Sequence, residues 1–147
     1  MSATPVPRRS TGVGRVLVAV YAILAIAATG RSVFQIIDRF DEAPIAFSLS
    51  AVAAVVYIVA TIALALGWRR AALLTICFEL AGVLVVGTLS IVAPGLLGLD
   101  AIDPFGREAT VWSAFGAGYL LVPLVLPVLG LLWLRRLQRA STAGAGV

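Results

Sequence analysis

The chain contains no histidine, no lysine and no asparagine, one cysteine, and charged residues at only 12% of its 147 positions. Each shortage removes a class of chemistry. Without histidine no Ser-His-Asp or Cys-His arrangement can form. With one cysteine besides, the usual zinc ligand sets cannot be assembled. Cys77 alone makes no intramolecular disulfide, and its place inside an apolar run reads as a small core residue. No phosphate-binding glycine motif is present. These absences point away from an enzyme and away from any bound cofactor or metal.

What is present is hydrocarbon. Apolar residues make up 61% of the chain and the mean hydropathy is +1.08. Ordinary soluble domains are roughly 45–50% apolar and about 25% charged, so the composition is that of an integral membrane protein. All eleven basic residues are arginine, and most lie in short clusters beside apolar runs. That placement gives the basic isoelectric point a membrane-topology reading and argues against nucleic acid as partner.

The expected architecture is all-α: a polytopic bundle of four transmembrane helices, over about 16–37, 45–68, 71–92 and 110–134. Together they form a domain over 15–137. Residues 1–14 and 138–147 read as cytoplasmic tails, the first of them disordered. The first run shares its basic start and apolar core with a secretory signal peptide, but the charge pattern counts it as a retained helix. Arg8, Arg9 and Arg15 precede it; Arg69 and Arg70 sit between the second and third runs; Arg135, Arg136 and Arg139 follow the fourth. The two other connections carry Arg39 and Arg107, each outnumbered by acids. Both termini are therefore expected in the cytoplasm, across a bacterial cytoplasmic membrane. Pro123 and Pro127 each remove a backbone donor within the fourth run, so a bent fourth helix is expected, with these two as its hinge.

Glu79 is the one acidic residue inside a membrane-length apolar run. A charge there is costly by a few kcal/mol on insertion scales, about 2.5 or more, so Glu79 should face the bundle and be paired, hydrogen-bonded or protonated. Hydrogen-bond partners are expected among Tyr57, Thr61 and Tyr119. Arg31 is the cationic candidate. Its alternatives are a polar cluster with Gln35 and Asp38 on its own face, or snorkelling to the headgroups. The acidic loop residues Asp100, Asp103 and Glu108 match no calcium-loop spacing and read as solvated. The apolar residues of that loop, among them Leu96, Leu97, Leu99 and Phe105, suit a membrane surface or a cap on the bundle.

Three stretches carry a resemblance: Gly30-Arg31-Ser32, then Phe40 to Pro44, and the run from Val111 to Gly116 with its continuation Pro123 to Pro127. With them the chain resembles small four-helix integral membrane proteins of actinobacteria over most of 15–136. That family implies topology and cell type and has no assigned activity. Small multidrug transporters are also four-helix chains with one membrane carboxylate. Theirs lies in the first helix, and Glu79 is in the third, so their mechanism is not carried over.

Three functions follow as expectations, the least constrained being a lipid-handling protein that uses the apolar outer loop and a groove between helices. The first is a non-enzymatic accessory or scaffolding subunit of a cytoplasmic-membrane or envelope complex, partnered by the lipid bilayer and by a membrane protein or further copies of itself. The alternative is a small proton- or cation-coupled transporter that uses Glu79.

Overall fold

The computed structural model describes residues 12–99, 103, 105–106 and 109–146, and among these every regular element is helical. Helix α1 spans Gly12–Arg39, α2 spans Pro44–Ala65, α3 spans Arg69–Val92 and α4 spans Val122–Gly144. Short 3-10 turns cover Phe40–Glu42, Pro94–Leu97 and Ser113–Tyr119. The helices α1, α2 and α3 are long and apolar enough to cross a membrane, and the bent pair Ser113–Tyr119 plus Val122–Gly144 brings the number to four if it is one span.

Local chemistry sets the boundaries. Pro44 opens α2 in its first turn, where a missing N–H costs nothing. Gly67, in the left-handed region at φ +71°, turns the chain between α2 and α3. Pro94 follows the last residues of α3, where its ring cannot continue a helix. Helix α3 begins two residues earlier than the hydropathy pattern suggests, because Arg69 and Arg70 are good helix formers.

Around the bundle α1 packs on α2, α2 on α3, and α3 on α4, with a thinner contact closing α4 back on α1. The shared core is mostly small: Ala28, Ala46, Ala53, Ala60, Ala63 and Ala72 are buried, with Tyr21, Tyr57 and Trp112 filling the wide places between them. Small residues let helix backbones come close, so that packing contacts hold the helices together. Large aliphatic side chains such as Ile26, Val55, Leu74 and Val92 point outward instead.

The fourth run departs from expectation in three ways. The α-helix begins at Val122, not near 110, and extends to Gly144, through most of the stretch expected to be a tail. The bend is 97°, and it lies at the break between Tyr119 and Val122, ahead of Pro123 and Pro127. Leu120 and Leu121 adopt φ +56° and +60° there. Pro123 therefore sits in the first turn of α4, where proline is well tolerated, and the chain bends through left-handed residues. Upstream, Ala114, Phe115 and Gly116 also have positive φ. Gly116 suits that conformation, and a Cβ on it would lie 2.7 Å from the Pro123 ring.

Irregular backbone at membrane depth is tolerated only where protein covers it and satisfies its polar groups. Protein covers the start of this stretch, whereas Leu120 and Leu121 at the bend are exposed. Residues 109–113 are buried. The Ala114 N–H donates to Ser90 Oγ at 2.8 Å, and the Thr110 N–H donates to Ser113 Oγ at 2.9 Å. The Leu121 N–H returns to the Gly116 carbonyl at 3.0 Å.

Cys77 is a second correction. It is exposed on α3 and is no core residue. The loop after α3 is partly a cap: Leu97 and Leu99 are buried, whereas Leu96 and Phe105 are exposed.

Candidate functional site

Two polar clusters emerge, one in the core and one at the end of the bundle where Arg39 and Val92 lie. The core cluster centres on Glu79, which has no exposed surface. Its position follows from counting residues. Glu79 lies ten residues into α3 from Arg69, and Tyr21 lies nine into α1 from Gly12. Both helices start at the same end, so at 1.5 Å per residue the two side chains arrive at nearly the same height, about 14 Å in.

The Tyr21 hydroxyl donates to Glu79 Oε2 at 2.7 Å, across the diagonal of the bundle. The other oxygen, Oε1, is buried and has no hydrogen-bond partner among the described residues. Beside this pair the rings of Tyr21 and Tyr57 lie 6.3 Å apart, tilted by 49°. Tyr57 Oη in turn accepts from the Trp112 indole N–H at 3.0 Å. Trp112 reaches this depth because Gly82 leaves room: a Cβ there would lie 2.6 Å from the ring.

Of the partners expected for Glu79, none forms that bond. Tyr57 is engaged by Trp112, and Thr61 donates back to the Tyr57 carbonyl one turn earlier in its own helix at 2.7 Å. Tyr119 is half-buried at the edge of the core. Tyr21 and Trp112 are the residues that reading along the chain overlooks. The signal for Tyr21 was available in the matched heights. For Trp112 there was none, since an interfacial tryptophan and a core tryptophan look alike beside an apolar run.

Arg31 does not pair with Glu79. It points to the far end, where Nε donates to the Ala109 carbonyl at 3.1 Å. Its Nη2 donates to the carbonyls of Ala109 and Gly106, both at 2.7 Å. Gln35 is buried on the same face, and its amide reaches the Ala109 carbonyl at 3.4 Å. Arg31 and Gln35 thus fasten the loop to α1, and Asp38 takes no part. The guanidinium fork supplies what this loop needs, several donors held in one plane. Arg39 pairs with Glu42 one turn on. In the acidic loop, Asp103 accepts from the Phe105 N–H at 3.0 Å, while Asp100 and Glu108 lie outside the described residues.

Among the described residues no group of three or more Cys, Asp or Glu side chains gathers as metal ligands do. Compared with known proteins, the chain matches no family model, no curated protein and no solved structure.

Proposed function

We propose that the protein is a non-enzymatic integral membrane protein of the bacterial cytoplasmic membrane, acting as an accessory or scaffolding subunit of a membrane or envelope complex. The observation that carries this reading is the seal around Glu79. Its carboxyl group has no exposed surface and is held by Tyr21, with the Tyr57–Trp112 pair beside it. A carboxyl group placed so is suited to holding two diagonal helices in register. Turnover of a solute would require a path to it.

The topology belongs to the same proposal. Arg15, Arg69, Arg70, Arg135, Arg136 and Arg139 fall at one end of the bundle, and Arg31 and Arg39 lie toward the other. By the positive-inside rule the first end is cytoplasmic, which places both termini there. The aliphatic side chains that point outward are then in contact with acyl chains or with a partner's helices.

The test is purification of a tagged chain from its native membrane after mild crosslinking, with quantitative mass spectrometry. A membrane protein, or a second copy, recovered at constant stoichiometry is the expected result. A chain recovered alone from every detergent tried overturns the reading.

One observation favours the transport alternative: the bare Oε1 of Glu79, a buried oxygen with no hydrogen-bond partner among the described residues. Infrared carboxyl bands in nanodiscs, with Glu79→Gln as control, separate the two. A Glu79 band that responds to bulk pH supports proton access and transport; an unresponsive band supports the sealed, structural role.

A further inference from the structure

We infer that the cleft between α1 and α4 at the arginine-rich end of the bundle seats an anionic phospholipid, with an acyl chain along the cleft and the headgroup at Arg136. The cleft is open, with a volume of about 530 Å³. Both walls are regular helix, α1 over residues 12–17 and α4 over residues 129–136.

The cleft follows from how these two helices meet. Their contact is thinner than that of any other neighbouring pair of helices in the bundle. Near this end they touch where Gly14 leaves room for Trp133: a Cβ on Gly14 would lie 2.7 Å from the indole. Beside that contact the seam stays open, lined by Val13 and Val16 on one side and by Leu129, Leu132 and Trp133 on the other. Positions three and four apart share one face of a helix, so each wall is a single apolar stripe. The four aliphatic side chains are 48–62% exposed. Leu129 lies seven residues, about 10 Å, deeper along α4 than Arg136. The stripe therefore runs along the helix axes, as an acyl chain does in a bilayer, and it ends at a cation.

Charge decides between occupants. Arg136 is exposed and enters no hydrogen bond or ion pair among the described residues. Arg15, Arg69, Arg70, Arg135 and Arg139 lie at the same end. The described acids lie elsewhere: Glu79 in the core, and Asp38, Asp41, Glu42 and Asp103 toward the opposite end. A second copy of the chain would bring this cleft more arginine and no carboxylate. A zwitterionic lipid brings a cation of its own. An anionic headgroup supplies the missing charge, as it does for basic segments beside a membrane. The inference rests on the membrane reading and is independent of the accessory role.

The experiment is native mass spectrometry of the full chain released from detergent, titrated separately with phosphatidylglycerol and phosphatidylcholine of matched acyl chains. Phosphatidylglycerol should bind about fivefold more tightly, the worth of one arginine near an anionic headgroup, and Arg136→Gln should remove that preference. Arg70→Gln, at the same end but outside the cleft, should keep it. Val16→Trp and Leu132→Trp each fill the cleft from an exposed position, and each should abolish the first tight adduct of either lipid. Equal binding of the two lipids overturns the inference and leaves the membrane reading standing. Equal losses from Arg136→Gln and Arg70→Gln overturn it too, because the preference would then belong to the charge of the whole end. A dimer that disappears in both tryptophan variants puts a second copy in the cleft and overturns it again. A chain that takes up neither lipid, and stays in solution once detergent is removed, overturns the membrane reading with it.

Discussion

Tyr21 and Glu79 meet across the diagonal of the bundle, at 2.7 Å, from two helices that share no side-by-side seam. The bond couples helices that packing alone would couple only through their neighbours. Removing its donor leaves both carboxyl oxygens bare in the core; removing its acceptor strands the phenol. Each unsatisfied buried group costs about 1–3 kcal/mol. Tyr21→Phe and Glu79→Leu should each destabilise by about that amount, and Glu79→Gln by less, since its amide oxygen still accepts. In a double-mutant cycle of unfolding in mixed micelles, Tyr21→Phe and Glu79→Leu should show a coupling of about 0.5–3 kcal/mol. Simple additivity would mean that the bond contributes nothing.

Trp112 occupies the notch at Gly82, and the notch is filled. Gly82→Ala should cost about 1–3 kcal/mol, because a Cβ at 2.6 Å from the ring forces a rigid indole to move. The displacement should also free the indole N–H from Tyr57 and shift the Trp112 emission. This is checked in a background where Trp68 and Trp133 are replaced by Phe. An unchanged spectrum with unchanged stability would contradict the placement of Trp112 in the core.

Much of this fold is legible in the chain, and the reasons differ by element. The apolar runs of α1, α2 and α3 are bounded by Pro44, Gly67, the Arg69–Arg70 pair and Pro94, so composition and punctuation agree on their limits within a few residues. The burial of Glu79 is expected from its place as the one acidic residue of an apolar run, where an exposed carboxylate would be costly if the run spans a membrane. Its partner was obscured because side-chain pairing across a diagonal depends on relative helix heights and rotations, which hydropathy does not encode. The fourth run misleads for another reason. It carries no charged residue from Val111 to Leu134, and nothing in hydropathy distinguishes helix from buried irregular backbone. What decides the break is local: Ser90 and Ser113 supply hydroxyls to backbone N–H groups that a helix would have satisfied itself.

That division predicts the effect of Ser90→Ala. The hydroxyl accepts from the Ala114 N–H and donates to the Gly87 carbonyl at 2.8 Å. Its loss leaves a buried amide unpaired at the irregular segment, costing about 1–3 kcal/mol. Hydrogen exchange in nanodiscs should then rise at residues 113–117 while α1 stays protected. Uniform exchange across the chain would mean that the segment does not depend on Ser90.

The break itself offers a stabilising change. Ala114 holds φ +47° and Leu120 holds φ +56°, a region that costs an L residue roughly 1–2 kcal/mol and costs glycine almost nothing. Leu120 is 87% exposed, so its side chain contributes little packing to the bundle. Ala114→Gly and Leu120→Gly should each raise the unfolding free energy, by up to about 1 kcal/mol once the greater entropy of the unfolded glycine is subtracted. A fall in stability for both would show that the segment adopts negative φ and that the helix is continuous. The same measurement thus tests the strained bend at the level of two dihedral angles.

Cys77 supplies the test of membrane depth, because the single cysteine needs no engineering. It is exposed on α3, eight residues or about 12 Å beyond Arg69, with Leu74 and Phe78 exposed beside it. A nitroxide attached there should meet lipid. In bilayers its relaxation should be enhanced strongly by oxygen, which concentrates in hydrocarbon, and weakly by a water-soluble nickel chelate. A label on an engineered cysteine at Gly67, in the turn between α2 and α3, should show the reverse. Equal exposure of both labels to the nickel chelate would place α3 outside the bilayer and remove the membrane reading altogether. The outward aliphatic side chains would then require a protein partner to cover them.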